Sequence, residues 1–358
     1  MKKIVMFIFA LFAVIGLASC GSKEVEYKLG MGVVVNTSSS ANATAEKAGT
    51  AQIDATVAAV VLDAEGKIVA CRLDAVQNKI TVSAEGVVTV PATFKTKMEL
   101  GDDYNMAKYG QSMDWNKDGV VKEWYDQAKA FENHVIGMTA AEVKAMATQV
   151  VEGAGYVISA DEALLAAGCT IQITDFKEAV AKACEDEQGT SFTTAKEFTL
   201  GVAANSSNDS ATKNATAEEA GAVCVYSDFA ASVVIEGKIA ASLNDAIQPK
   251  FAVSATGELT ATYADTKRGL KEGYNMAKYG ASMDWNGDGK VLEWYLQSEA
   301  FSKHVVGMTG AEVEAMATKV VEGSGYIISA DDALLTAGCT IQITGIKAVV
   351  AKSVANAR

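Results

Sequence analysis

The sequence predicts an α+β protein made of two tandem repeats, each an antiparallel β-meander followed by helices. Three observations lead there. Tyr104-Asn105-Met106-Ala107-Lys108-Tyr109-Gly110 returns as Tyr274-Asn275-Met276-Ala277-Lys278-Tyr279-Gly280, an offset of 274 − 104 = 170 residues. Ala167-Gly168-Cys169-Thr170 returns as Ala337-Gly338-Cys339-Thr340 at the same offset. A period of that length suits a whole small domain and is too long for a solenoid unit. The early part of each repeat alternates β-branched runs with Gly-containing turns, the pattern of hairpins. The later part changes to helical spacing, and strands followed by helices is the α+β order.

At the N-terminus, Lys2-Lys3 precedes an uninterrupted apolar run from Ile4 to Leu17. The run falls short of the roughly 20 residues a spanning helix needs, so residues 1–19 read as a signal peptide. Leu17-Ala18-Ser19-Cys20 is a small-residue cleavage site followed by cysteine. It resembles the bacterial lipoprotein signal, in which Cys20 becomes the lipidated first residue. The expected location is therefore extracytoplasmic, anchored to the bacterial cell membrane by acyl chains, with residues 20–27 as tether. The first repeat is assigned to residues 28–184, a linker to 185–196 and the second repeat to 197–358.

Within the first repeat, Gly32 to Asn36 is a β-branched run, followed by a polar loop from Thr37 to Thr50. Asn42-Ala43-Thr44-Ala45-Glu46 in that loop recurs at 214–218. Ile53 to Leu62 and Lys67 to Leu73 flank a turn at Asp63-Ala64-Glu65-Gly66; Lys79 to Val82 and Val87 to Val90 flank another at Ser83-Ala84-Glu85-Gly86. Trp124, Ala128, Phe131 and Val135 share one helical face, and Gly137 stops that helix. Thr139 with Glu142 is a capping box opening a helix that should run to Gly153. Asp161 opens a short helix ended by Gly168, and Thr174-Asp175 caps a last one, Phe176 to Cys184.

A net charge of −13 argues against nucleic acid as a partner, because phosphate binding needs clustered Lys and Arg. His134 and His304 are the only histidines, which argues against a Ser-His-Asp triad or a His-rich metal site in each repeat. Three places remain that can carry chemistry. The first is the acidic loop Asp114, Asn116, Asp118, Gly119 with Glu123, and its twin Asp284, Asn286, Asp288, Gly289 with Glu293. Oxygen side chains at positions 1, 3 and 5 before a glycine are how EF-hand-like loops wrap calcium. Here the glutamate stands at position 10, as in shortened extracellular calcium loops of the DxDxDGxxCE type. The alternative is a plain Asp-Gly turn with a helix cap. The second place is Ala-Gly-Cys-Thr, where Gly168 and Thr170, or Gly338 and Thr340, make either a phosphate-binding corner or a simple helix end. The third is aromatic: Tyr104 and Tyr274 lie on Gly-bounded segments suited to contact a planar ligand, whereas Trp124 and Phe131 suit helix-to-sheet packing.

The order of these parts resembles the FMN-binding domain family, found in flavin subunits of the Rnf and sodium-pumping quinone reductase complexes and in tandem extracellular electron-transfer flavin lipoproteins. Thr96-Lys97 and Thr266-Lys267 fall where that family has a Thr-Pro-Gly-Leu-Gly turn. Trp124 to Gln127 and Trp294 to Gln297 fall at its Trp-x-x-Gln-Phe helix, and Thr170 and Thr340 at its FMN-bearing threonine. The sequence departs from the family at Ala167, Ala337, Cys169 and Cys339, and Leu164 and Leu334 stand where the family has an acidic residue. The resemblance implies FMN on Thr170 and Thr340, shaped by Gly168 and Gly338. It also implies a membrane electron donor and an external acceptor, so that the protein relays electrons. Non-covalent FMN, or a fold without flavin, are alternatives that the departures leave open. The competing class is a non-redox surface-binding or structural lipoprotein with calcium-stabilised repeats. Either is favoured over a hydrolase, since no nucleophile–base pair recurs in both copies.

Overall fold

The computed structural model describes residues 23–106, 108, 114, 119–279, 284, 285, 287 and 289–358. It is a mixed α/β structure with antiparallel sheets. In the first half, β1 (Val25–Asn36), β2 (Gly49–Leu62), β3 (Ile68–Val82) and β4 (Val88–Thr89) form the expected meander. Then come α1 (Lys97–Leu100), α2 (Trp124–His134), α3 (Ala140–Ala145), the hairpin β5 (Thr148–Val150) and β6 (Val157–Ser159), α4 (Glu162–Ala166) and α5 (Thr174–Cys184). Strand β7 (Thr190–Thr194) returns to pair with β1, giving the order β4-β3-β2-β1-β7. The second half follows with β8 (Thr199–Asn208), β9 (Gly221–Ile235), β10 (Lys238–Ile247), β11 (Lys250–Val253) and β12 (Leu259–Thr262). Its later elements are α6 (Lys267–Leu270), α7 (Trp294–His304), α8 (Gly310–Glu314), β13 (Thr318–Val320), β14 (Ile327–Ser329), α9 (Asp332–Thr336) and α10 (Thr344–Ala355).

Four expectations are corrected. The runs 67–73 and 79–82 are not separate strands but one continuous β3, paired with β2 from Gly49↔Val82 to Leu62↔Ile68 with a single irregularity near Leu62. Asp74 and Asn78, which lie between the two runs, are buried with partners, so the strand passes through them. In the second half the same run does break, into β10 and β11, at Pro249, which has no N–H to give the ladder. The helix opened by the Thr139 capping box ends at Ala145, because Thr148 to Val150 leaves as a β-strand against Val157 to Ser159. The segment 185–196, read as linker, carries β7, whose Phe192 stacks on Tyr27 at 5.6 Å between ring centroids. Finally, α5 starts at Thr174 itself, and Ile173, at the capping position, offers no side-chain bond.

Alternation along the strands gives both sheets two apolar faces. Ile53, Val57, Ala59 and Val61 of β2 join Leu200 and Val202 of β8 and Val225, Phe229 and Val233 of β9 in one core between the sheets. The opposite face of β2, Ala58, Val60 and Leu62, packs with Trp124, Phe131 and Phe176 under the first helical layer. Ala203 and Ala230 likewise meet Trp294, Phe301 and Ile346 under the second. The layers therefore run helices, sheet, sheet, helices. Closeness between layers depends on missing side chains: a Cβ on Gly32 would overlap the Ala179 carbonyl of α5, and one on Gly201 the Ser353 carbonyl of α10.

The recurring Asn-Ala-Thr loops clasp the halves together reciprocally. Asn42 Oδ1 accepts the Leu259 N–H at 2.8 Å, and Asn214 Oδ1 accepts the Val88 N–H at 2.8 Å. Backbone bonds add to this, from Ala43 N–H to Gly257 O (3.0 Å) and from Ala215 N–H to Gly86 O (2.9 Å). On the helical side, buried Glu132 accepts from the Leu73 N–H at 2.8 Å and from the Arg358 guanidinium at 2.9 Å.

Gly201→Ala is expected to destabilise the protein by about 2 kcal/mol or more, through forced separation of α10 from its sheet. Gly273→Ala, where a Cβ meets open space, should change little. Urea unfolding midpoints of the two variants check this.

Candidate functional site

The Ala-Gly-Cys-Thr corner is closed from within. Gly168 takes a left-handed φ of +89°, turning the chain out of α4. Thr170 is only 1 % exposed. Its N–H donates to Gln127 Oε1 at 2.8 Å, the Ile171 N–H to the same oxygen at 3.1 Å, and its hydroxyl lies 3.3 Å from it. Gln127 Nε2 donates in turn to the Lys122 carbonyl at 2.7 Å. The second half repeats this: Thr340, 2 % exposed, gives its N–H (2.7 Å) and hydroxyl (3.2 Å) to Gln297 Oε1. The carboxamide of the Trp-x-x-Gln helix thus occupies the donors that a phosphate was expected to use. Lys122 lies over Gly168 with its Nζ on the Ala167 carbonyl at 2.8 Å, and Leu292 lies over Gly338.

Thr96 and Thr266 are also buried and act as helix caps. Thr96 Oγ1 accepts from the Glu99 N–H at 3.1 Å while Glu99 returns a bond to the Thr96 N–H at 2.8 Å. Thr266 Oγ1 accepts from the Gly269 N–H at 3.0 Å. Their hydroxyls bond buried Asp74 and Asp245. Burial pushes the Asp74 carboxyl up to about 6, against these hydrogen bonds, and raises that of Asp245 as well.

In the acidic loops, Asp114 Oδ2 accepts the Gly119 N–H at 2.9 Å and Asp284 Oδ2 the Gly289 N–H at 2.9 Å. Glu123 and Glu293 each accept a backbone N–H, from Met106 and Met276, at 2.8 Å. Asn116, Asp118, Asn286, Asp288 and Cys20 lie outside the described residues. Among the described residues, no group of three or more His, Cys, Asp or Glu is placed to hold a metal. Among them, too, no helix is long and apolar enough to cross a membrane.

Tyr104 lines a cleft of about 620 Å³ at the end of the first helical layer. The cleft follows from the sequence of β2: its helix-facing positions are Ala58, Val60 and Leu62 where helices cover it, but Gln52, Asp54 and Thr56 farther along. Gln77 of β3, Lys97, Trp124 and Asp175 close the other sides. Lys97 Nζ stands 4.9 Å from the Tyr104 ring centroid and 5.5 Å from that of Trp124, within cation–π range. Burial, with the nearby charges of Glu178 and Asp54, raises the Asp175 carboxyl, and Lys97 opposes this. Tyr274 sits in the matching place under Lys267, whose Nζ is 4.7 Å from its ring centroid. Burial lowers the Lys267 ammonium to about 8 and lifts the neighbouring Asp228 carboxyl to about 7.

No protein-family model, curated protein or solved structure matches the chain. The site residues that sequence reasoning passed over are Asp54, Thr56, Gln77, Lys97 and Asp175. The signal for Asp54 and Thr56 was the change from apolar to polar at every second position of β2; Gln77, Lys97 and Asp175 lie on other elements and carried no such signal.

Two outcomes follow. Gln127→Leu strands two buried N–H groups and should cost about 2–4 kcal/mol in chemical unfolding, more than Thr170→Val, which loses one weak bond. Asp74 keeps its proton in the folded state up to about pH 6, whereas the unfolded chain releases it near pH 4. Its contribution to stability therefore falls as pH rises from about 4 to about 6, by about 3 kcal/mol in total, and is level above. Asp74→Asn, which keeps Oδ1 for the Ala75 and Met98 N–H groups, should remove that fall. Urea midpoints at pH values on either side of the window measure it.

Proposed function

We propose that the chain is two tandem α+β repeats forming an extracytoplasmic, membrane-tethered binding lipoprotein that is not redox-active. Its ligand sits in the cleft of the first repeat, and calcium stiffens the acidic loop of each. The observation that carries this reading is the open, mixed polar and aromatic cleft lying beside a threonine corner already filled by Gln127. Pockets of a few hundred Å³ with aromatic walls and a few convergent polar groups are the usual shape of small-molecule sites. An electron relay on the other hand needs a flavin phosphate on Thr170 and Thr340, whose hydroxyls face inward. The identical closure of both acidic loops, from Asp114 to Gly119 and from Asp284 to Gly289, supports the calcium part.

Produced with FAD and the flavin transferase of the FMN-binding family, the protein should be colourless. Flavin absorbance that stays with the denatured pellet, and is lost in a Thr170→Ala/Thr340→Ala double variant, would establish the relay and overturn the binding reading. Calcium at about 1 mM, the affinity range of extracellular modules, should raise the melting temperature by a few degrees and EDTA should reverse it. An unchanged melting temperature removes calcium from the proposal.

A further inference from the structure

Both halves set a lysine over a Tyr and a Trp ring, but only in the second do a third ring and a neighbouring carboxylate close around it. We infer that the first-half cleft is a site for a neutral polyhydroxylated ligand, a short oligosaccharide, and that Lys267 closes the second-half counterpart. The inference rests on the binding reading above and names its ligand class.

The closure is visible residue by residue. Gly49 of β2 and Gly221 of β9 open matching strands, an offset of 221 − 49 = 172, so Asp54 is matched by Tyr226 and Thr56 by Asp228. At the 170-residue offset of the later segments, Asp175 is matched by Gly345. In the second half Lys267 is 6 % exposed. Its Nζ lies 4.5 Å from the Tyr226 ring centroid, 4.7 Å from that of Tyr274 and 5.6 Å from that of Trp294. It also donates to the Tyr226 hydroxyl at 3.1 Å. Asp228 stands against Gly345, where a Cβ would overlap its carboxylate. The ammonium thus has three aromatic faces and a carboxylate close by, and it stays in the cage. In the first half Asp54 removes the third ring, Thr56 removes that carboxylate, and Lys97 remains only half-buried. The room left by these exchanges is the cleft.

The lining decides what fits. Among the described residues, its Asp and Lys side chains are Asp54 and Asp175 against Lys79 and Lys97, two of each sign, a balance that favours neither an anion nor a cation. Its remaining polar groups include the carboxamides of Gln52, Gln77 and Gln172, each of which both donates and accepts hydrogen bonds. Tyr104, partly exposed, and Tyr156, exposed, add aromatic surface. A sugar presents hydroxyls that also donate and accept, together with an apolar C–H face that packs on such rings. A phosphorylated ligand would need a surplus of positive charge that this lining lacks.

The test titrates tryptophan fluorescence and calorimetric heat of the chain from Gly21 onward with maltose, cellobiose and N,N′-diacetylchitobiose. A uronic-acid disaccharide, glucosamine and FMN serve as charged probes. The expected result is one neutral saccharide bound per chain. Gln77→Ala should weaken it at least ten-fold, and so should the graft Asp54→Tyr/Thr56→Asp, which imports the second-half closure. Melting temperatures read alongside show whether each variant is folded, and Gln77→Ala serves if the graft is not. Tyr226→Asp should leave the affinity unchanged. Two saccharides per chain, or loss of binding in Tyr226→Asp, would overturn the closed second half. Response to the uronic-acid disaccharide or glucosamine alone would overturn the ligand class and leave the binding reading standing, whereas binding of FMN would overturn both. Silence from every probe, on protein that melts normally, overturns both.

Discussion

The core shared between the two sheets is the constraint on which the rest of this structure depends. Neither sheet has a face to spare for solvent: one side of each packs against the other sheet and the opposite side lies under helices. Strands in that position cannot alternate apolar with polar, and Val57-Ala58-Ala59-Val60-Val61-Leu62 is apolar at every step. Small residues let four layers stack closely, and the reciprocal Asn42 and Asn214 contacts fix how the sheets meet at their rim. With those faces used up, the strand positions open to a ligand include those where a helical layer stops short of the strand ends. The first-half cleft lies at such a place.

Much of this was legible in the sequence. The meander order, the helix of Trp124 to His134, the Thr139 capping box and the packing roles of Trp124 and Phe131 follow from periodicity and capping chemistry, which are local. The misreadings share a non-local cause. Asp74 and Asn78 lie between the two apolar runs, and partners distant in the chain, the Met98 N–H for one and Ser206 for the other, help β3 run through them. Segment 185–196 reads as polar linker because charged, amide and hydroxyl residues fill most of it, and pairing with β1 is what turns Thr190 to Thr194 into a strand.

The candidate site was legible in its aromatics and in Trp-x-x-Gln, but the role of the glutamine was not. A Gln three residues after a buried Trp shares its helical face, so periodicity alone points it inward but does not name its partner. Its role depends on the Thr170 corner arriving from 43 residues away to use the carboxamide oxygen, while Nε2 donates to the nearby Lys122 carbonyl. Likewise Lys97 and Lys267 are the same residue in the same motif, and their different burial comes from strand residues some forty positions earlier. Local sequence identity therefore overstated how alike the two copies are: the copied motif supplies the cage, and the less similar strands decide whether it stands open.

The position of β1 bears on how the molecule carries load. It lies between β2 and β7, with Val25 at its start paired to Thr194 and its later residues paired along β2 as far as Asp54. A pull on the chain at Val25, directed along the strand, stretches both ladders in shear, so that their hydrogen bonds resist together instead of parting one by one as in peeling. Any tether attached upstream of residue 25 would load the β1–β2 and β1–β7 ladders together, and the cleft residues Gln52, Asp54 and Thr56 sit toward the opposite end of β1 from that point of load.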